Sequence, residues 1–292
     1  FMKKLRIFLP FYRKSIKQMS RGYGFGKTKP GRLLLKIITK IFRSDFVEVQ
    51  GHKMFVHPGN DDYSLYGVYG ELDTKIVKSQ INKGDIVVDV GASIGYYSLI
   101  LARAVGKEGH VFAFEPRPER FELLKKNVEI NGYHNVTIEQ MAVLDQNGET
   151  DFYYSKNQKT GFKLEVSKKE KEMISEKATA KTVRLEDYFK ERGIENKIKF
   201  IKSDVDGPEF AVLKSAGCIL ENKNLKVFFE WDYKYMNIVG DDPEEILDLL
   251  YKNNFKIYSP DFKNCEYSSI EKSDLLSSKI SDPVNILCKK NN

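Results

Sequence analysis

The stretch Val87-Val-Asp-Val-Gly-Ala-Ser-Ile-Gly95 joins a run of apolar, mostly β-branched residues to a turn that contains two glycines. An uninterrupted run of this kind, residues 86–90, is typical of a central strand in a parallel sheet. After the turn, apolar residues recur at helical spacing between residues 97 and 104. The stretch therefore predicts a strand, a tight turn and a helix in succession.

The same alternation continues toward the C-terminus. Repeated β-α units imply a mostly parallel sheet with helices on both faces and right-handed crossovers. Ligands of such sheets bind at the carboxyl ends of the strands, so we expect the chemistry there. The pattern predicts strands at 110–114, 136–140, 197–203, 225–231, 255–258 and 284–288, and helices at 71–81, 118–130 and 208–216 and from 242 onward.

The charge of the 292-residue chain is unevenly distributed. Residues 1–44 carry 13 Lys or Arg and no Asp or Glu, whereas the remaining residues carry 35 basic and 41 acidic side chains. The formal net charge of +7 therefore comes wholly from the N-terminal segment. A mildly acidic main body argues against a nucleic-acid channel across it.

This division predicts a basic arm over residues 1–44 and a catalytic domain over residues 45–292. Residues 33–42 have the spacing of an amphipathic helix, which would either dock on anionic lipid or pack on the sheet. Residues 46–57 indicate a β-hairpin. The Lys- and Glu-rich segment 151–181 is interpreted as an insertion, either a lid over the site or a solvated loop.

The three cysteines, Cys218, Cys265 and Cys288, lie far apart and are odd in number. This pattern disfavours a disulfide framework and fits a reducing compartment, so we expect the cytoplasm. No apolar run approaches the roughly 20 residues that span a bilayer. Peripheral contact with a membrane through residues 1–44 stays open as an alternative.

Two acidic strand ends point to a nucleoside ligand with a cationic tail. Asp89 precedes the Gly91-x-x-x-Gly95 turn, where it suits an ammonium group, and the following helix N-terminus offers N–H groups. Glu115 ends the next strand, where a carboxylate accepts hydrogen bonds from ribose hydroxyls. The alternatives are a tight strand-helix turn and an exposed strand-end acid.

A second acidic group follows a later strand, in Lys202-Ser-Asp204-Val-Asp206-Gly-Pro-Glu209. A carboxylate placed here suits general-base removal of a hydroxyl proton, and Lys202 suits a developing alkoxide. The alternative is helix capping by Asp206 with first-turn electrostatics from Glu209.

A metal site is not the favoured interpretation. Asp204 with Glu230 and Asp232 at the next strand end would suit a hard divalent cation, but acidic strand ends are common. The four histidines are scattered and form no pair at metal-ligand spacing. We therefore expect no metal ion.

In order and spacing, residues 66–216 resemble the FkbM family of methyltransferases. The resemblance covers about half of the chain. The matching pieces are Gly70-Glu71, residues 84–97, Ala113-Phe-Glu-Pro116, Leu124-Lys-Lys-Asn127, Asn131-Gly132, Ala142-Val143 and Ile201-Lys-Ser-Asp-Val-Asp-Gly-Pro-Glu209.

The resemblance implies a Rossmann-like methyltransferase fold: a mostly parallel seven-stranded sheet with a reversed last strand. It also implies S-adenosylmethionine as cofactor and S-adenosylhomocysteine as product. It places Asp89, Gly91 and Gly95 on the methionine half, Glu115 on the ribose, and Met141 and Ala142 near the adenine. The full implied cofactor set adds Glu71, Ala92, Ser93, Tyr96, Pro116 and Asp204.

This sequence departs from the family pattern at three of these positions. Ser93 stands where Asn is common, Asp206 where Glu is common, and Pro208 where a small residue is usual. The first departure bears on cofactor contacts. The second shortens a carboxylate and leaves the choice of catalytic base among Asp204, Asp206 and Glu209 open.

The expected activity is transfer of a methyl group to a hydroxyl of a glycan or sugar-containing small molecule. The chain has neither the Asp/Asn-Pro-Pro-aromatic signature of many amino-methylating enzymes nor a Pro-Cys nucleophile, which favours oxygen as the acceptor atom. The alternatives are a lipid-linked acceptor at the membrane surface, nucleic-acid binding through the basic arm, and a fold that binds cofactor without catalysis. The pattern specifies neither the acceptor nor the oligomeric state.

Overall fold

The computed structural model describes residues 46–56, 70–154, 176–205, 207–233, 236, 241–277 and 282–290. The chain divides into two compact units, Phe1–Tyr69 and Gly70–Asn292. The predicted arm, including its helix at 33–42, lies outside the described residues.

The predicted hairpin belongs to the first unit, whereas the sequence interpretation placed it in the catalytic domain. Strands β1 (Val47–Val49) and β2 (His52–Met54) pair antiparallel with each other in a two-stranded sheet. Gln50 and Gly51 connect them with φ of 52° and 76°, the left-handed backbone that two-residue hairpin turns require.

The second unit alternates strands and helices as the sequence pattern predicts. Short 3₁₀ turns at Glu195–Lys197 and Gly217–Glu221 precede the strands that begin at Ile198 and Lys226. The strands are β3 (Ile86–Val90), β4 (His110–Phe114), β5 (Val136–Glu139), β6 (Ala142–Val143), β7 (Gly148–Tyr154), β8 (Glu176–Val183), β9 (Ile198–Ser203), β10 (Lys226–Trp231), β11 (Phe255–Asp261), β12 (Glu266–Ser269) and β13 (Val284–Lys290). The helices are α1 (Glu71–Ser79), α2 (Tyr96–Val105), α3 (Pro118–Ile130), α4 (Leu185–Lys190), α5 (Glu209–Ala216), α6 (Pro243–Lys252) and α7 (Lys272–Leu275).

The large sheet has the order β12-β11-β13-β10-β9-β3-β4-β5. Strands β5, β4, β3, β9 and β10 are parallel, and β13 runs antiparallel between β10 and β11. This confirms the Rossmann-like methyltransferase fold and its reversed last strand.

The sheet has eight strands rather than the expected seven, because β12 adds an edge strand antiparallel to β11. The turn before β12 is organised by Asp261, whose carboxylate accepts hydrogen bonds from the backbone amides of Lys263 and Asn264. Cys265 completes the turn with φ of 55°. The short polar sequence Glu266–Ser269 lacks the apolar alternation by which a strand is recognised.

The two faces of the large sheet differ in character. One face is apolar and packs, with residues of α4, α5 and α6, into the main core. The opposite face bears polar side chains near the strand ends, since Asp89 and Lys202 are in register on β3 and β9. Val87, Val111 and Phe200 are buried on that same face, so the polar pair is confined to its carboxyl end.

A smaller sheet of order β6-β8-β7 follows β5. Strands β7 and β8 are antiparallel and enclose Phe152, Ala142 and Ala180 in a small core. The ends of the predicted insertion at 151–181 are thus strands, while residues 155–175 lie outside the described residues. Its role as a lid stays a prediction.

Within the described ranges, no helix is both long enough and apolar enough to cross a membrane.

Candidate active site

The glycine turn after β3 is shaped by its protein neighbours. Gly91 has φ of 73°, and a Cβ atom there would lie 2.1 Å from the carbonyl oxygen of Asp204. Gly95 has φ of 95°, and its Cβ would lie 2.8 Å from Leu124 Cδ1 on α3. Only glycine fits either position, and at Gly91 this brings the tips of β3 and β9 into direct contact.

Hydrogen bonds hold the rest of the turn. The amides of Gly91 and Ala92 both donate to the carbonyl of Phe114, at 3.0 and 2.9 Å. The buried amide of Asn127 on α3 donates to the carbonyl of Ile94 at 2.7 Å. The turn is therefore fixed on both sides before any ligand binds.

Glu115 lies under this turn at the end of β4 and is only 3% exposed. Its two carboxylate oxygens accept hydrogen bonds from the amides of Ser93, at 2.8 Å, and Arg117, at 2.9 Å. Burial raises the pKa of Glu115, although nearby Arg120 and the two amides act in the opposite direction. Each carboxylate oxygen keeps a second lone pair that can accept a ribose hydroxyl.

The start of α2 fits the carboxylate of an amino-acid tail. Its N-cap is Gly95, which has no side chain to satisfy the helix amides, and no side-chain cap is present among the described residues. A helix N-terminus left uncapped in this way favours an anion. Together with Glu115, this arrangement fits S-adenosylmethionine, with Gly91–Gly95 and Glu115 as the residues that would hold it.

Asp89 lies beneath the turn and is fully buried. Its Oδ2 accepts a 2.6 Å hydrogen bond from Ser98 Oγ, and its Oδ1 lies 3.4 Å from Lys202 Nζ without hydrogen-bond geometry. Burial raises the pKa of Asp89, and Lys202 opposes that shift. Direct contact between Asp89 and a ligand ammonium stays a prediction.

Lys202 bridges the buried and exposed parts of the site. Its Nζ lies 3.4 Å from Asp89 Oδ1, 3.4 Å from Asp204 Oδ2 and 5.0 Å from the ring centroid of Tyr97. Burial lowers the pKa of Lys202, but Asp204 and Asp89 outweigh it and raise the pKa overall. The side chain is 3% exposed, whereas that of Asp204 is 29% exposed. Lys202 is therefore an ammonium that orients Asp204.

Glu209 begins α5 and is buried. The amide of Val205 donates to its Oε1 at 3.2 Å, and burial, with a contribution from Glu230, raises the pKa of Glu209 to about 8. Glu209 is thus largely protonated at neutral pH. Asp206 lies outside the described residues, and the N-cap of α5 is Pro208, not Asp206 as the alternative interpretation had it.

The other predicted cofactor residues occupy less central positions. Glu71 is exposed at the start of α1, and Tyr96 Oη lies 2.9 Å from Thr74 Oγ1 on that helix. Pro116 directly follows Glu115 and is half-buried. Met141 packs against the main core and Ala142 belongs to the smaller sheet, and their place near the adenine stays a prediction.

The sequence interpretation overlooked three residues that hold the site. Ser98 bonds Asp89, Asn127 bonds the glycine turn, and Tyr97 faces Lys202. Ser98 carried a signal, because it is a small hydroxyl residue in an otherwise apolar helical segment. Tyr97 and Asn127 lie in pieces that resemble the FkbM family, but their contacts were not predicted because their partners are distant in sequence.

The structure does not support a metal site. Among the described residues, no group of three or more His, Cys, Asp or Glu side chains is arranged to hold a metal ion. Asp204, Glu230 and Asp232 therefore do not form the cation site considered as an alternative.

The family is decided by comparison with known sequences. The family described as Methyltransferase FkbM domain matches residues 89–257, which is more than half of the chain. The chain belongs to the FkbM methyltransferase family. These residues accordingly form a methyltransferase domain whose cofactor is S-adenosylmethionine.

The individual proteins that are similar to this chain either match it over a short stretch or have low sequence identity to it. A protein-L-isoaspartate O-methyltransferase from Ignicoccus hospitalis is 38% identical over 60 residues, which are 20% of this chain and 28% of that protein. A solved FkbM methyltransferase from Methylobacillus flagellatus is 15% identical, with a TM-score of 0.41 over 72% of this chain and 44% of that one. An S-adenosylmethionine-dependent O-methyltransferase from Thermotoga maritima is 16% identical, with a TM-score of 0.41 over 87% and 82% of the two chains.

Proposed function

We propose that this FkbM protein is an S-adenosylmethionine-dependent O-methyltransferase whose acceptor is a hydroxyl of a glycan or sugar-containing small molecule. The observation that carries the proposal is the contact between Gly91 and Asp204. It brings a carboxylate that solvent can reach next to the turn that fits the cofactor. A base adjacent to the cofactor is what methyl transfer to a hydroxyl requires.

The charges of the acidic end support Asp204 as the base. The carboxylate of Asp204 is partly exposed, and the buried ammonium of Lys202 holds it in place. Glu209 is largely protonated at neutral pH, so it serves as a hydrogen-bond donor rather than as the base. Asp206 remains the second candidate base on sequence grounds.

In the proposed reaction, Asp204 accepts the hydroxyl proton as the acceptor oxygen bonds to the methyl carbon and the bond from that carbon to sulfur breaks, with S-adenosylhomocysteine as the leaving group. When bound, S-adenosylmethionine supplies an electrophilic methyl group on a sulfonium. Glu115 and the Gly91–Gly95 turn orient the nucleoside and tail, so that the methyl faces the acceptor. Lys202, whose side chain is 3% exposed, would hold Asp204 in place, and its predicted stabilisation of the alkoxide stays a prediction.

The acceptor class rests on the family resemblance and on the two absent signatures, so it needs a direct test. Purified protein would be incubated with S-adenosylmethionine and a panel of glycosides and lipid-linked sugars, and release of S-adenosylhomocysteine would be measured. Asp204→Asn should lower turnover at least about 100-fold. Its affinity for S-adenosylhomocysteine, measured by calorimetry, should change no more than a few-fold.

Two further variants separate catalysis from cofactor binding. Asp248→Asn, on the exposed side of α6, removes the same charge elsewhere and should behave like the parent. Glu115→Gln, which keeps the shape of a buried side chain, should weaken S-adenosylhomocysteine binding. Full turnover in both Asp204→Asn and Asp206→Asn would refute the carboxylate base, and unchanged binding by Glu115→Gln would refute the ribose contact.

A further inference from the structure

The two edges of the large sheet differ in charge where β9, β10, β11 and β13 lie; where β3 and β4 begin, Asp85 and Glu108 lie beside Lys83 and Lys107 in sequence. Glu115, Glu139, Asp204 and Asp232 lie at or just past the carboxyl ends of their strands. The opposite edge, where β9, β10 and β11 begin and β13 ends, comprises segments 195–199, 221–226, 252–256 and 289–290. These segments contain two glutamates, no arginine or aspartate, and eight lysines: Lys197, Lys199, Lys223, Lys226, Lys252, Lys256, Lys289 and Lys290. We call these eight residues the lysine edge.

Three members of the lysine edge form a row across adjacent strands. Lys226 is directly opposite Lys289, and Lys289 is directly opposite Lys256. Like charges in directly opposed cross-strand positions are destabilising. The fold therefore tolerates a concentration of positive charge here that stability alone would not favour.

Three of these lysines contact groups of the protein itself. Lys226 Nζ donates to the carbonyl of Gln80 at 2.7 Å, and Lys290 donates to the carbonyls of Leu220 and Asn253. Lys289 Nζ lies 4.1 Å from the ring centroid of Tyr258. These ammonium groups stabilise loop carbonyls and an aromatic ring, so they need no external partner.

Of the remaining five members, Lys199 is half-buried, and the other four have no such use. Lys197, Lys223, Lys252 and Lys256 are exposed, and their side chains form no ion pair with any residue in the described ranges. Of the two glutamates on these segments, Glu195 accepts a hydrogen bond from Asn196, and Glu221 influences Lys290. Asp85 acts on Lys226, but within the described part of the chain the four exposed lysines have no ion-pair partner, so they present positive charge to solvent.

We propose that the lysine edge docks this protein on an anionic lipid bilayer. Lysine is a compact point charge, suited to a diffuse anionic surface, whereas arginine is favoured where phosphates are recognised individually. Tyr251, 37% exposed beside Lys252, has the amphipathic ring that is enriched at membrane interfaces. A single such ring does not form the series of stacking platforms that single-stranded nucleic acid uses.

Docking by this edge has a consequence for the acceptor. The six residues of β10 span about 20 Å, so Asp204 would face away from the bilayer at roughly that distance. A soluble glycan could reach it from solvent, whereas a lipid head group at the docked surface could not. Among the acceptors considered from sequence, this orientation favours the soluble one.

The test is co-sedimentation of the full chain with phosphatidylserine-containing and pure phosphatidylcholine vesicles near physiological salt. Each lysine at an anionic surface contributes about fivefold in affinity. The double variant Lys223→Gln, Lys256→Gln should therefore bind phosphatidylserine vesicles roughly 25-fold more weakly than the parent. The matched control, Lys125→Gln, Lys126→Gln, removes two exposed charges from α3 and should bind like the parent.

All variants retain residues 1–44, so binding through the arm is common to them and cancels in the comparison. Equal binding by the edge variant and the control would overturn the proposal, as would failure of the parent to prefer phosphatidylserine. A parallel titration with single-stranded RNA provides the competing outcome. If the edge substitutions weakened RNA binding but left vesicle binding unchanged, the surface would belong to a nucleic acid and the lipid proposal would fail.

Discussion

The two halves of the carboxyl edge, one for the cofactor and one for the acceptor, are built in different ways. At the tips of β3 and β4, backbone amides and carbonyls determine the shape, as Ser93 and Arg117 show by donating to Glu115. At the tips of β9 and β10, ionisable side chains determine it, with Lys202 between Asp89 and Asp204. The shape of the cofactor half is thus fixed by backbone groups, whereas that of the acceptor half depends on interactions among charged side chains.

Because of this difference, the two halves should respond differently to substitution. A change in the cofactor half should act through sterics and be insensitive to pH, because it displaces backbone. A change in the acceptor half should act through electrostatics and vary with pH. This contrast can be tested by substituting residues in each half and comparing the free energies of unfolding at two pH values.

The largest effect is expected for Gly91→Ala. The new Cβ would lie 2.1 Å from the Asp204 carbonyl on a backbone with φ of 73°, so the tips of β3 and β9 must separate. We expect a loss of about 5 kcal/mol in the free energy of unfolding, measured by urea denaturation, or failure to fold. The loss should be the same at pH 6 and pH 8.

Gly84→Ala provides the matched control. Gly84 also has positive φ, 85°, but a Cβ atom added there would have no neighbour within 4 Å. It should lose only about 1 kcal/mol, the cost of the backbone conformation alone. Similar losses in both variants would mean that backbone strain, and not the contact with β9, explains Gly91.

The second effect belongs to the acceptor half. Lys202→Met would leave Asp89 buried without its counter-ion, which should cost about 4 kcal/mol at pH 8. Because burial raises the pKa of Asp89 above its ordinary value of 3.8, protonation relieves the unpaired charge as pH falls. The destabilisation, measured by urea denaturation, should therefore be smaller at pH 5 than at pH 8.

Lys199→Met, on the same strand, is the control for losing a lysine. Lys199 is half-buried, and its side chain makes no ion pair within the described part of the chain. Its variant should lose less than about 1 kcal/mol at either pH. A loss in Lys202→Met that does not vary with pH would indicate a packing role and would weaken the contrast between the two halves.

The cofactor half was largely predictable because its determinants are close in sequence. Asp89, Gly91, Gly95 and Glu115 fall within one β-α-β unit, where spacing alone specifies which strand ends adjoin. The reversed last strand followed from the family resemblance, since nothing in the spacing of 255–258 and 284–288 specifies direction.

The acceptor half was less predictable because burial decides its chemistry. Lys202 and Glu209 are charged residues on any sequence criterion, yet one is enclosed between carboxylates and the other is largely protonated. The edge strand β12 was not predicted because its four polar residues lack a strand pattern. The turn at Asp261 places them beside β11. Such features depend on contacts that only the folded chain assembles.

The third effect concerns Glu209 and its pH dependence. Since its pKa is about 8 in the folded chain and near 4.5 when unfolded, the unfolded state alone ionises between these values. The contribution of Glu209 to stability is therefore lost progressively as pH rises from about 4.5 to 8. Glu209→Gln removes that loss, so its stability relative to the parent should rise by about 3.5 kcal/mol from pH 5 to pH 8.

Parallel urea denaturation at the two pH values measures this effect. Glu244→Gln, an exposed position in the first turn of α6, should show no change relative to the parent over the same range. A Glu209→Gln variant whose relative stability does not vary with pH would mean that Glu209 is ionised. It would then become a competing catalytic base alongside Asp204.

The smallest effect tests whether the backbone of the cofactor half can be stabilised by a substitution at Ser93. Ser93 has φ of 51°, a left-handed backbone that Asn and Gly adopt at lower cost than Ser or Ala. Ser93→Asn should raise the free energy of unfolding by about 0.5 kcal/mol, whereas Ser93→Ala, which keeps the strain, should not raise it. Neither should weaken S-adenosylhomocysteine binding, since the Ser93 amide that donates to Glu115 is retained. Weaker binding by Ser93→Ala alone would show that the Ser93 hydroxyl contacts the ligand. The cofactor half would then bind its ligand through a side chain as well as through backbone groups.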